Sequence, residues 1–161
     1  MISGNEVDIT RQCARYCSAS ERCVSEVRKR LDGLDIDEAA KERVLSSLVN
    51  EGFIDEARYC KAFVNDKFRF NKWGRRKIAF ELKRKGIAAS LIEEALTAIE
   101  PDRYSETLKA LLRKKKSSVK AKNGRELTAK LAAYAVSKGF EAGQAFDVIK
   151  QLTGYDDESL D

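Results

Sequence analysis

The sequence predicts an all-α protein built from tandem three-helix repeats, and three observations carry that expectation. Charged residues make up 35% of the 161-residue chain, there is one proline, and regular alternation of apolar and polar residues is hard to find. Apolar residues instead recur at the three-and-four spacing of helix faces. A tetrapeptide also returns: Ala14, Arg15, Tyr16 and Cys17 reappear as Ala57, Arg58, Tyr59 and Cys60, 43 positions on, a period typical of stacked helical repeats.

Residues 1–7 are polar and uncapped and are expected to be disordered. The first repeat, 8–52, opens with a helix over Asp8–Cys17 presenting Ile9, Cys13 and Tyr16 on one face. Ser18 and Glu21 form a capping-box pair for a helix over Ser20–Leu31, with Cys23, Val24, Val27 and Leu31 inward and Gly33 closing it. Asp37 caps a third helix, Glu38–Asn50, expected to bury Val44, Leu45, Leu48 and Val49 before Gly52.

The second repeat, 53–99, starts at Asp55, a cap for a helix over Glu56–Phe68 with Tyr59, Cys60, Phe63 and Val64 as its stripe. After Gly74 a basic helix turns Ile78 and Leu82 inward, with Arg76, Lys83 and Arg84 on the opposite side, and Gly86 with Ile87 ends it. A helix over Ala89–Ile99 follows, with Ser90 and Glu93 as its cap pair and Leu91, Ile92, Ala95, Leu96 and Ile99 buried. The third repeat, 100–154, begins at Pro101 and places Tyr104, Leu108, Leu111 and Leu112 ahead of a basic tract. Ser117–Gly124 reads as a helix end and loop, and helices over Arg125–Ser137 and Glu141–Leu152 complete the repeat, the latter carrying Ala145, Phe146, Val148, Ile149 and Leu152. Residues 155–161 form an acidic tail expected to fray. The helix ends EVRKRLDGL, ELKRKGI and YAVSKGF echo one another, each closing on glycine and a large apolar residue.

The net charge of +5 hides a strong asymmetry. Residues 1–56 carry 8 basic and 12 acidic groups, residues 57–125 carry 20 and 7, and residues 126–161 carry 3 and 7. Such a concentration of positive charge repels itself and suits a polyanion or an acidic protein surface. One cluster comprises Arg69, Lys72, Arg75, Arg76, Lys77, Lys83, Arg84 and Lys85; the other comprises Arg113, Lys114, Lys115, Lys116, Lys120 and Lys122. Phe68, Phe70, Trp73 and Phe80 interleave with the first, where rings beside cations can stack bases. Packing between helices is the expected role of Phe68 and Trp73, whereas for Phe80, on the side of Arg76 and Arg84, both roles stay open.

Nothing in the chain composes a catalytic site. Histidine is absent, the carboxylates are accounted for by capping and solvent faces, and neither phosphate-cradling glycine motif occurs. The four cysteines include no C-x-x-C pair and read as small buried hydrophobes. A non-enzyme without cofactor or metal is expected. No apolar run is long enough to span a bilayer and the N-terminus has no export pattern, so a cytoplasmic protein with no membrane partner is expected.

The segments GFIDEARYCKAFV, GRRKIAFELKRKGI and IEEAL, in that order, resemble the RecX family, modulators of the RecA recombinase. The resemblance is strongest over residues 52–99 and rests in the third repeat mainly on KLAAYAVSKGF. It implies three tandem three-helix repeats in an elongated, curved array, acting as a monomer that binds the RecA filament on single-stranded DNA. That binding would restrain ATPase, strand-exchange and coprotease activities in homologous recombination and DNA repair. On this analogy Arg75, Arg76, Lys77, Lys83 and Arg84 are the first candidates for contact, and Arg113–Lys116 the second. The family often has proline after the glycine matched by Gly74, where this chain has Arg75, which implies a looser turn. The alternative is a helix-turn-helix module acting on nucleic acid directly, which would need a base-reading recognition helix and a dimer interface.

Overall fold

The computed structural model describes residues 4–154. Among them are nine α-helices and no strand: α1 (Gly4–Ala19), α2 (Val24–Asp32), α3 (Glu38–Asn50), α4 (Glu56–Arg69), α5 (Arg75–Arg84), α6 (Ala89–Leu96), α7 (Pro101–Ser118), α8 (Gly124–Ser137) and α9 (Ala142–Thr153). They follow one another as three triplets, as the sequence predicts. Spatial contacts gather the chain into two compact units, one of Met1–Phe63 with Glu81–Ala95, the other of Val64–Phe80 with Leu96–Asp161. The division falls inside α4, inside α5 and before the last residue of α6.

In the first unit α1 begins at Gly4, so residues 4–7, expected to be disordered, are helical; residues 1–3 and the acidic tail lie outside the described residues. A distant partner explains the earlier start. The Arg43 guanidinium, on α3, donates to both carboxylate oxygens of Glu6 at 2.9 and 3.0 Å, adding a charge-assisted bidentate pair to the first turn. The predicted Ser18–Glu21 box does not form: the Ser18 hydroxyl donates back to the Ala14 carbonyl and α1 runs on to Ala19. Instead α2 starts at Val24 with Cys23 as N-cap, where the Cys23 N–H donates to Glu26 and the Val24 N–H to Glu56 of α4. Glu56 thus caps a neighbouring helix. Asp37 caps α3 through the Ala40 N–H, as predicted. The core joins Ile9, Cys13, Cys17, Val27, Leu31, Val44, Leu45, Leu48 and Ile54. Val49, predicted to be buried, is exposed, and Tyr16 is half-buried with the Arg22 and Arg30 guanidinium groups 3.9 and 4.5 Å from its ring centroid. The end of α2 also differs from its echoes. Gly33 is right-handed at φ −79°, whereas Gly86 and Gly139 are left-handed at +82° and +98° and are followed by buried Ile87 and Phe140. Leu34, after Gly33, stays exposed.

All four thiols are buried. Burial pushes each of them up in pKa, Cys60 to about 11, which keeps the reactive thiolate scarce.

The carboxylates of this unit set an acid limit. The Arg43 hydrogen bond holds Glu6 below the ordinary 4.5. For Glu26 burial acts upward but is outweighed by the Cys23 amide and the Lys85 charge, so it too is lowered. A lowered folded-state pKa gives stability that is complete above about pH 4.5 and is lost as pH falls through the folded value. The urea midpoint is therefore expected to fall between pH 5 and pH 3, and Glu6→Gln with Glu26→Gln to flatten that dependence; an unchanged slope in the double variant would count against it.

In α6 Ile92 and Ala95 are buried but Leu91 and Leu96 only half-buried, and Ser90 lies inside the first turn, so it is not the cap. The second unit is centred on α7, α8 and α9. Pro101 occupies the first turn of α7, as predicted, and the helix continues through Ser118, so the loop is shorter than Ser117–Gly124. Asn123 caps α8 by accepting from the Glu126 N–H at 2.8 Å. Tyr104, Leu108, Leu112, Leu131, Phe140 and Ile149 are buried to 1% exposure or less, whereas Leu111 is half-buried and Phe146 exposed.

Candidate functional site

The basic helix α5 owes its orientation to backbone groups far away in sequence. A helix start has N–H groups without intrahelical partners, and a helix end has such carbonyls. Here they meet. The Gly74 N–H donates to the Lys138 carbonyl at 2.8 Å and the Arg76 N–H to the Gly139 carbonyl at 3.0 Å. Between them the Arg75 N–H donates to the Tyr104 hydroxyl at 2.9 Å. A proline at 75 has no N–H to give, so the predicted looseness of this turn is corrected: Arg75 supplies a further tether. Close approach requires both glycines, since a Cβ on Gly74 would lie 2.4 Å from the Gly139 carbonyl atoms.

Tyr104 organises this junction. Its ring stacks on Phe68 and tilts against Phe140, with centroids 5.9 and 5.0 Å away, and its hydroxyl donates to Glu141. Arg75 covers the same ring at 3.9 Å and pairs with Glu141 at 3.7 Å. Arg75 is thus absorbed in packing. Tyr104→Phe leaves the Arg75 N–H and a Glu141 oxygen without that hydroxyl, and is expected to cost about 1–3 kcal/mol in denaturant unfolding; a loss below about 0.5 kcal/mol would show that water replaces it.

From this fixed start Ile78 and Leu82 are fully buried while Arg76, Phe80, Lys83 and Arg84 are all exposed, Phe80 to 59%. At 100° per residue those four lie within about one third of the helix circumference, opposite Ile78 and Leu82. Arg76 and Lys83 make no ion pair with a described residue, and Arg84 pairs with Glu81 at 3.4 Å. Lys85, in the turn just past α5, pairs with Glu26 at 3.4 Å. A cleft of about 470 Å³ beside them is lined by Tyr16, Ser25, Glu26, Lys29, Glu81, Arg84 and Lys85. Its mixed charge does not extend the cationic face.

The other candidates divide likewise. Arg69 is exposed with its guanidinium 5.8 Å from the Phe70 centroid, and Lys72, at φ +58°, donates to the Arg69 carbonyl at 2.7 Å. Lys77 is half-buried, with its ammonium 4.6 Å from the Trp73 centroid. Phe68 is core and Trp73 half-buried, whereas Phe70 stands 71% exposed. On α7, Arg113 and Lys114 are exposed, while Lys115 lies 4.9 Å from the Tyr134 centroid and Lys116 donates to the Leu152 carbonyl at 2.8 Å. Lys138, absent from the sequence-based set, enters through the α8 end. Its ammonium donates to the Asn71 carbonyl at 2.9 Å, and burial together with the Lys77 charge lowers its pKa. Only the glycine-ended YAVSKGF motif hinted at its neighbourhood.

Two family models match this chain, RecX second three-helix domain over residues 55–96 and RecX third three-helix domain over residues 102–149. Together these span more than half of it. The chain belongs to the RecX family. Regulatory protein RecX of Streptomyces coelicolor is 28% identical over 151 residues, 92% of this chain and 80% of that protein. A solved regulatory protein RecX aligns with a TM-score of 0.83 and 26% identity over 91% of this chain and 73% of that one. RecX from Lactobacillus salivarius shares the fold, with a TM-score of 0.79 and 22% identity over 95% of this chain and all of the other. The first RecX model ends at α6, yet the α5 within it is capped by α8, which belongs to the second.

Proposed function

We propose that this chain is a non-enzymatic regulator of the RecA recombinase, binding the RecA filament on single-stranded DNA and restraining its ATPase, strand-exchange and coprotease activities. The carrying observation is the α5 face of Arg76, Phe80, Lys83 and Arg84, exposed on a helix whose other side is core and whose first turn is tied by three hydrogen bonds. A pinned cationic face with one exposed ring suits an anionic partner because little ordering remains to be done on binding. The naming of its relatives as regulatory proteins supports the reading. Arg113 and Lys114 offer a second contact. No described helix is long and apolar enough to cross a membrane.

The test is the single-stranded-DNA-dependent ATPase of the cognate recombinase with increasing amounts of this chain, beside direct DNA binding at two salt concentrations. Inhibition at protein levels well below those that coat the DNA supports filament binding. ATPase that falls only as DNA saturates, with binding lost steeply in salt, would make the chain a competing cationic DNA binder instead.

A further inference from the structure

Phe70 is the most exposed large hydrophobic side chain among the described residues, at 71%. It follows α4 directly, with the Arg69 guanidinium 5.8 Å from its ring centroid. The next residue, Asn71, uses its backbone carbonyl to hold the Lys138 ammonium at 2.9 Å. The end of α8 and the turn after α4 are therefore joined at the base of an exposed ring. Lys77 approaches from α5: an added Gly139 Cβ would lie 2.3 Å from the Lys77 Cβ, so Lys77 and the Lys138–Gly139 backbone are in contact. Neither Lys77 nor Lys138 forms an ion pair with a described residue, and burial and the Lys77 charge make ionised Lys138 costlier than in water. Two ammonium groups gathered in this way bind a multivalent oxyanion favourably, because one ligand offsets both their repulsion and their lost hydration.

We propose that the turn joining α4 to α5, with the end of α8, forms a nucleotide subsite for single-stranded DNA, in which the Phe70 ring stacks a base and Lys77 and Lys138 hold the adjacent phosphate. The inference deepens the reading above, since it rests on single-stranded DNA being part of the partner. An acidic protein surface would use the two ammonium groups but has no flat base to cover the ring; stacking on an exposed aromatic beside cations is the way sequence-tolerant binders hold a single strand. Arg69 borders the ring and adds charge to the path of the backbone. Trp73 reports on the site, because the Lys77 ammonium lies 4.6 Å from its ring centroid and a phosphate that draws Lys77 away changes the surroundings of the only tryptophan in the chain.

The experiment titrates the full chain with oligo(dT) of about 12 nucleotides and follows Trp73 fluorescence at several salt concentrations. A saturable change is expected, with Phe70→Ala weakening binding about tenfold while circular dichroism shows an intact helical fold. Lys77→Gln and Lys138→Gln are each expected to reduce the slope of log affinity against log salt by about 0.7. Phe70→Ala binding as tightly as wild type overturns the subsite, and so does poly-glutamate or inorganic polyphosphate competing as well as oligo(dT). The ATPase assay separates the two claims. Inhibition that persists while Phe70→Ala leaves oligo(dT) affinity unchanged sinks the subsite alone; a tenfold Phe70→Ala effect with no action on the recombinase sinks the regulatory reading and leaves the subsite standing.

Discussion

Gly139→Ala and Gly74→Ala are each expected to lower the stability of the second unit by at least ~3 kcal/mol. At Gly139 two costs combine. Its φ of +98° disfavours any side chain, and its Cβ would lie 2.3 Å from the Lys77 Cβ and 2.6 Å from the Lys77 nitrogen. At Gly74 the obstacle is backbone, with the Gly139 carbonyl carbon and oxygen at 2.4 Å and the Phe140 nitrogen at 2.5 Å. Backbone does not step aside, so the junction must open. The hydrogen bonds from Gly74 and Arg76 then go with it. Gly143, in the first turn of α9 with nothing within 4 Å of an added Cβ, is the control, and Gly143→Ala is expected to be neutral or to gain up to about 1 kcal/mol. Thermal melts followed by circular dichroism and Trp73 emission check all three. A Gly139→Ala melting temperature within about 3 °C of wild type would mean that the contact between the α8 end and α5 is slack.

Charge reversal on α5 should have the opposite profile, with function lost and fold kept. Arg76→Glu with Arg84→Glu is expected to raise the amount of protein needed for half-inhibition of the recombinase ATPase at least tenfold, since reversal replaces two attractions by two repulsions. Stability should change by less than about 1 kcal/mol, because Arg76 makes no described ion pair and the Arg84–Glu81 pair is a surface contact. Undiminished inhibition by the folded double variant would remove the α5 face from the interface and leave the exposed α7 cations, Arg113 and Lys114, as the place to look.

What could be read from the sequence was what the chain arranges within one or two turns. Asp37, Asp55 and Asn123 accept from amides three residues ahead, and Gly86 with Ile87 closes α5 through the Leu82 carbonyl. Of these, capping preference marks Asp37, Asp55, Gly86 and Ile87 in the sequence, whereas Asn123 sits in a polar stretch that reads as loop. The start of α2 differs from the sequence expectation because its amides are held by Glu26 within the helix and by Glu56, 32 residues from Val24. The same holds for the candidate site. Charge and spacing picked out the face of Arg76, Phe80, Lys83 and Arg84, but not that Arg75 is spent on Tyr104 and Glu141, nor that Lys138 joins Lys77. Val49 and Phe146 failed as core residues for a related reason: a helix stripe says which residues share a side, and only the neighbours decide how much of that side is covered.

The bonds between the start of α5 and the end of α8 also impose an order on biosynthesis. Gly139 follows Gly74 by 65 positions, so a ribosome adding about 5–20 residues per second takes roughly 3–13 s to supply the caps of a helix already made. During that interval the basic helix α5 has its core-facing Ile78 and Leu82 but not its anchored first turn. Nascent chains halted between α7 and α8 should therefore leave the α5 amides open to hydrogen exchange and its peptide bonds to protease, and release of the α8 end should close both at once.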